Sequence, residues 1–207
     1  VFVAGVYCRH SSAFVLPEVS RCVVSIPEAM TLSPKDDMSS KVELNVRKAN
    51  VVETFASGVK RRFYAHRTRK NLLVLELEFD NTKSDQDKTF ALSTRSVKQS
   101  KDLKLETSTQ RNATTQLGHN VNPENKTISQ TIAIVTSISP DSVVVRAKEM
   151  KTVQLFSAFY VEEDPNVSPE NTLAAAMKIF ENAVHSASRS EHESAWSDLW
   201  SRGGIEL

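Results

Sequence analysis

NLLVLELEFDN, residues 71–81, decides how this chain is to be read. Leu73, Leu75, Leu77 and Phe79 fall at every second position, opposed in part by Glu76 and Glu78. Successive side chains of a β-strand point to opposite faces, so a period of two marks a strand with an apolar face. Asp80 and Asn81 then break the pattern, since both residue types tolerate turn conformations. The same alternation extends outward from this stretch. In KVELNVR (41–47), Val42, Leu44 and Val46 face away from Glu43, Asn45 and Arg47. In TISQTIAIVTSI (127–138), Ile128, Ile132, Ile134 and Ile138 are in phase, and Ser139-Pro140-Asp141 closes the run. SVVVRAK (142–148) follows, then TVQLFSAFYV (152–161), in which Val153, Leu155, Phe159 and Val161 share a face. Short strands divided by turn signals, with no helical pattern between them, predict a mainly β chain folded as an antiparallel β-sandwich. The Ser-, Thr- and Lys-rich stretch from Ser93 to Asn125 has only weak apolar pairs, such as Leu103 with Leu105, and reads as edge strands and loops.

The period changes in EEDPNVSPENTLAAAMKIFENAVHSAS (162–188). Ser168 is suited to the N-cap and Pro169 to the first helical position, where its missing N–H costs nothing. Leu173, Met177, Phe180, Val184 and Ala187 then recur at steps of four and three, which predicts one apolar stripe along a helix. A second helix is expected from about Ser190 to Trp200, with Trp196, Leu199 and Trp200 on one face and Gly203-Gly204 as its stop. The chain thus divides into a β-sandwich domain, 1–165, and a helical segment, 166–207.

Composition is that of an ordinary globular protein: 207 residues, 40% hydrophobic, 25% charged, five glycines and seven prolines. A net charge of +1 supplies no general field for nucleic acid or an anionic membrane. No run approaches the roughly 18 apolar residues of a membrane span. Cys8 and Cys22 have no ligand-like spacing and read as buried thiols, with one disulfide as the other possibility. VFVAGVYCRH (1–10) reads as the middle of a strand and turn, without an initiator methionine or the basic flank of a signal peptide. Two tryptophans on a helix so near Leu207 call for a large apolar partner, so both ends of the chain read as cut.

Several stretches invite a chemical reading. His192-Glu193 opens like a zinc-protease motif, but the second imidazole must stand one turn later on the same helical face, and position 196 is Trp. Lys60, Arg61, Arg62, His66, Arg67, Arg69 and Lys70 interleave with Phe63 and Tyr64, the residue types that track phosphates and stack on bases. Alternation along a strand sends these charges to opposite faces, so a solvated sheet edge is the expectation. Paired carboxylates can hydrolyse a glycosidic bond, and Glu76 with Glu78, or Glu162-Glu163-Asp164, supply candidates. Neither group has an apolar setting that would separate two pKa values, and both read as solvent-facing. No G-x-S-x-G elbow and no glycine-rich phosphate loop occurs. The residues assemble no catalytic, cofactor or metal site. The sequons at Asn112, Asn125 and Asn166 permit a secretory history without arguing for one.

Three stretches, in this order, resemble the N-terminal region of glycoside hydrolase family 65, most nearly its acid-trehalase-like animal branch. VFVAGVYCRHSSAFVLPEVSRCVVSI (1–26) is similar to that family's early strand, its Gly-Val-Tyr, and a Leu-Pro leading into the next strand. RRFYAHRTRKNLLVLELEF (61–79) resembles the segment in which Tyr64-Ala65-His66-Arg67-Thr68 precedes an apolar strand. EHESAWSDLWSRGGIEL (191–207) is similar to its His-x-x-x-Trp-x-x-Leu-Trp segment. The family's Tyr-Asn-Gly is here Tyr7-Cys8-Arg9, and residues 93–125 show no likeness.

The resemblance implies an N-terminal β-supersandwich joined by linker helices to an (α/α)₆ barrel. Trp196 and Trp200 would then pack between the two domains, with the chain's own barrel as their partner. The general-acid glutamate would lie in that barrel, beyond Leu207, and hydrolysis would invert the sugar carbon between an acid and a base. This chain would be the non-catalytic N-terminal domain of an inverting hydrolase that removes glucose from glucosyl-galactosyl-hydroxylysine, the glycan being bound by the whole enzyme. On this reading the chain alone leaves Leu173, Phe180, Trp196 and Trp200 exposed. The alternative is a stand-alone β-sandwich that binds carbohydrate or protein through exposed aromatics.

Overall fold

In this computed structural model the described residues are 2–8, 20–98, 103–121 and 130–203. The side chains of Cys8 and Cys22, and the residues Ile128, Asn125 and Gly204, lie outside what is described. Strands β1 (Phe2–Cys8) and β2 (Ser20–Val23) pair antiparallel, which sets the Cys8 backbone opposite Ser20. A 3₁₀ turn at Glu28–Thr31 leads into β3 (Ser33–Pro34). A meander of β4 (Ser39–Asn45), β5 (Asn50–Phe55), β6 (Lys60–Ala65) and β7 (Leu72–Asp80) follows. Next come β8 (Lys88–Ser93), β9 (Leu103–Gln110), β10 (Ala113–Asn120), β11 (Thr131–Ser137), β12 (Ser142–Val145) and β13 (Met150–Glu162). Two helices close the chain, α1 (Pro169–Ser186) and α2 (Arg189–Gly203).

Eight strands form one antiparallel sheet in the order β4-β5-β6-β7-β13-β11-β10-β9, and β12-β8-β3 form a second, smaller one. The two sheets pack face to face, as the alternation predicts. Leu73, Leu75, Leu77 and Phe79 of β7, with Leu155 and Phe159 of β13, face Phe90, Leu92, Val143 and Val145 of the small sheet. The rings of Phe79 and Phe90 lie 5.0 Å apart. Each such side chain, fully withdrawn from water, contributes about 1.5–3 kcal/mol.

The opposite face of the large sheet is buried as well. Leu72 and Val74 of β7, Ala133 and Val135 of β11, and Phe156 and Ala158 of β13 pack against Ala176, Met177, Phe180 and Ala183 of α1. Small residues on both sides let helix and sheet approach closely. Ser168 caps α1, its Oγ accepting from Asn171 N, and Pro169 stands in the first turn. A buried hydroxyl pair, Thr136 Oγ1 with Ser157 Oγ at 2.8 Å, ties β11 to β13 and leaves neither group unpaired.

The structure corrects four expectations. Val42 and Leu44 are 61% and 70% exposed, because β4 is the outer strand and the three-stranded sheet covers only the middle of the eight, and Val46, 51% exposed, lies in the β4–β5 turn. The basic run is no sheet edge: β6 pairs with β5 on one side and β7 on the other. The buried stripe of α1 is rotated toward Thr172, Ala176, Met177, Phe180 and Ala183, leaving Val184 51% exposed. Phe180, expected at the surface, is buried at 7% exposure, and Leu173 packs against the same cluster.

Ser93–Asn125 does supply the far edge of the sheet, as the hairpin β9–β10, with Arg111 and Asn112 both at positive φ in its turn. Gly118 of β10 sits opposite Leu105, and a Cβ there would lie 1.8 Å from Lys104 O. Gly118→Ala is expected to break the β9–β10 pairing and cost about 1–3 kcal/mol, a lower melting temperature in a thermal denaturation being the check. An unchanged melting temperature would refute the close approach.

Candidate functional site

The two motifs separated by more than a hundred residues, Tyr64–Thr68 and Glu191–Trp200, meet in space along the seam between α2 and the large sheet. Apart from Trp196, Leu199 and Trp200 near its end, α2 is polar, and His192 is its one buried residue among those described. It is held instead by polar groups, beginning with Glu76 of β7. Glu76 is 2% exposed, not solvent-facing as the sequence suggests. Its flanking partners follow from register, with Arg62 opposite it on β6 and Gln154 opposite it on β13. Oε2 accepts from Arg62 Nη1 at 3.1 Å and from Arg189 Nη1 of α2 at 3.2 Å. Oε1 accepts from Tyr64 Oη at 3.2 Å and from Gln154 Nε2 at 2.8 Å. Four donors on one buried carboxylate meet the requirement that a buried charge be paired and hydrogen-bonded. With both oxygens occupied, Glu76 is a structural junction and not a free acid or base.

Aromatic rings continue the seam away from Glu76. The Tyr64 ring lies 4.4 Å from His192, and His192 lies 5.6 Å from His66 and 6.5 Å from Trp196. Trp200 stands 6.4 Å beyond Trp196 and donates its indole N–H to Arg47 O at 3.1 Å. The Arg67 guanidinium lies 5.3 Å from the Trp196 ring centroid, a cation–π contact. Both tryptophans are half-buried on the chain's own β4–β5 turn and β6–β7 loop, so they are less exposed than the sequence alone predicts. Burial and the adjacent Glu76 carboxylate push the Tyr64 phenol far above its usual range. Burial also holds the His66 imidazole below its ordinary value.

Arg69 joins α1 to α2. Its guanidinium donates to Asn182 O, Ser186 O and Ser186 Oγ at the C-terminus of α1, where a cation offsets the helix dipole. It also reaches Glu191 Oε2 at 3.0 Å, and Thr68 Oγ1 donates to Glu191 Oε1. Lys48 completes the seam through Glu193 at 3.0 Å.

The remaining candidates are dispersed. Glu78 pairs with Lys60 at 3.6 Å, and Arg61 pairs with Glu53 on the sandwich side of the sheet. Glu162 accepts from Glu163 N and Asp164 N, and Asp164 from Asn166 N, so this acidic trio shapes the turn before α1. Beside the seam, a shallow concavity of about 460 Å³ opens on the outer face of β4–β6, lined among others by Glu43, Arg47, Lys60 and Arg62. Arg189 and Gln154 escape the sequence reading, since nothing in their spacing marks them. The pairing of Arg62 with Glu76 could have been found, as opposite charges at alternating positions of adjacent predicted strands.

Removing the carboxylate strands the Arg62 guanidinium, 17% exposed, whereas Arg189 is 39% exposed and can be rehydrated. Glu76→Gln is therefore expected to cost about 3 kcal/mol in denaturant unfolding, well beyond the loss from Arg189→Gln. Equal losses from the two substitutions would contradict a buried junction at Glu76.

No protein-family model and no curated protein sequence matches the chain. Among solved structures it is similar to a putative kojibiose phosphorylase from human microbiome, with a TM-score of 0.59 and 13% sequence identity. The match covers 96% of this chain but 29% of that one, so the chain spans under a third of the structure it resembles. What the two share is the fold: a β-sandwich followed by helices.

Proposed function

We propose that this chain is the non-catalytic N-terminal domain of a family 65-like inverting glycoside hydrolase. The observation that carries the reading is the fold likeness to a kojibiose phosphorylase over 96% of the chain and 29% of that protein. The order of the three family-like stretches, 1–26, 61–79 and 191–207, is independent support from sequence. The meeting of Tyr64–Thr68 with His192 and Trp196 gives the second and third stretches a common physical purpose, the seating of α2.

In this reading the sandwich is a platform and α2 directs the chain toward a catalytic (α/α)₆ barrel. Leu199, 42% exposed, and the outer faces of Trp196 and Trp200 would complete their burial against that barrel. The acid and base that flank the glycosidic bond belong to the barrel. The substrate we infer from the resemblance to protein-glucosylgalactosylhydroxylysine glucosidase is glucosyl-galactosyl-hydroxylysine, with glucose as the released sugar. The kojibiose phosphorylase likeness bears on the scaffold and leaves hydrolysis as the sequence-based part of the proposal.

Reading the transcript through the codons after Leu207 is the first test. An open frame encoding paired amphipathic helices is expected, and a polypeptide extended through them should release glucose from glucosyl-galactosyl-hydroxylysine while residues 1–207 alone release none. A stop codon shortly after Leu207 would refute the proposal and leave a stand-alone binding module.

A further inference from the structure

The helix α2 is attached to the sheet through two imidazoles, and their hydrogen-bond partners fix which nitrogen of each ring donates. His192 Nε2 lies 2.8 Å from Lys48 O, and its Nδ1 accepts from Arg67 N at 3.1 Å. A carbonyl can only accept and a peptide N–H can only donate, so the proton sits on Nε2. His66 repeats the arrangement, with Nε2 3.2 Å from Ser188 O and Nδ1 accepting from Arg69 N at 3.4 Å. A second proton on His66 would have to enter at Nδ1, head-on to the Arg69 N–H. The Arg69 N–H bond would be lost, and the only other group beside that nitrogen among the described residues is the Thr68 hydroxyl at 3.4 Å, which already donates to Glu191 Oε1.

The charges around the rings reinforce this. The β4–β5 turn brings Lys48, and β6 with the following loop bring Arg62, Arg67 and Arg69. β7 contributes Glu76, and α2 contributes Arg189, Glu191 and Glu193. Glu191 approaches His66 at 4.0 Å but already serves Arg69 and Thr68. Five cations thus face three carboxylates before the His66 imidazole gains a proton, and its ring stands 5.6 Å from that of His192. None of the residues of α2 belongs to either apolar core, whereas α1 is built into one of them. Opening the seam therefore leaves both apolar cores covered.

We propose that α2 is an acid-released latch: His66 in its neutral form holds it on the sheet beside His192, and protonation of His66 frees α2 while the sandwich and α1 remain folded. The device lies within residues 1–207 and does not depend on the enzyme reading. Its sign follows from which form the docked state prefers. Burial first, then the neighbouring His192 and Arg69, hold the His66 imidazole below its ordinary 6.5, against the opposing pull of Ser188 O and Glu191. Docking is accordingly complete above about pH 6.5 and is lost as pH falls through the lower, docked-state value. The Glu191 carboxyl is held below its ordinary 4.5, chiefly by the Thr68 hydroxyl, so its contribution is lost only in a more acidic window.

The chain's two tryptophans both lie on α2, so its intrinsic fluorescence reports the latch directly. Titrating from pH 8 to pH 5, the emission maximum should move to the red and acrylamide quenching rise about twofold or more, as expected for local opening, with the far-UV circular dichroism of the sheet unchanged. His66→Gln, whose amide can donate to Ser188 O without titrating, should weaken the response and flatten its pH dependence. In the unsubstituted chain, hydrogen exchange should show protection of 189–203 falling between pH 7.5 and pH 5.5 while that of 150–162 is kept. A response confined below pH 4.5, one that coincides with loss of the sheet signal, one that is identical in His66→Gln, or equal protection of 189–203 at both pH values would each overturn the proposal.

Discussion

The middle of the eight-stranded sheet cannot face water on either side, and the other layers exist to satisfy that constraint. β7 presents Leu73, Leu75, Leu77 and Phe79 to one face and Leu72 and Val74 to the other. β13 does the same with Leu155 and Phe159 against Phe156 and Ala158. Two paired strands that are apolar on both faces need two covers. The three-stranded sheet is one and α1 is the other. Because the covers are narrower than the sheet they protect, its outer strands depend on charge, turns and α2 for their finish.

α2 illustrates a different physics from α1. A helix docked by an apolar stripe slides and repacks at modest cost, whereas a helix docked by directional polar contacts has one register. Arg189 on Glu76, His192 between Lys48 O and Arg67 N, and Glu191 under Arg69 fix the position of α2 through bonds that each accept a single geometry. Buried charge of this kind adds little net stability against an apolar alternative, and its use is to specify one arrangement. Arg69 extends the same logic to the neighbouring helix, since one guanidinium closes the end of α1 and holds the start of α2.

Much of the fold is legible in the alternation of residues 71–81 and 152–161, and the capping pair Ser168-Pro169 marks where α1 begins. The second buried face was equally written in the run Leu72-Leu73-Val74-Leu75, which is continuous and not alternating, the mark of a strand covered on both sides. The exposure of Val42 and Leu44 was not legible, because it depends on how far a three-stranded sheet reaches across an eight-stranded one. Nor was the burial of Glu76. Its carboxylate looks solvated on any single strand, and only the arrival of Arg189, 113 residues later in the chain, closes the site. The motifs Tyr64–Thr68 and Glu191–Trp200 were visible separately, and their contact is a property of the third dimension alone.

The exposed outer strand has a consequence for how the molecule behaves in company. Among the described residues β4 pairs with β5 alone, which leaves a row of peptide donors and acceptors beside Val42 and Leu44 as a template for a strand from another molecule. Lys41 and Glu43, paired with each other at 2.8 Å, put charge on the opposite side of that strand but leave the apolar side bare. Crowding therefore tests this chain at an edge of its sheet, a demand that the strength of its core does not meet.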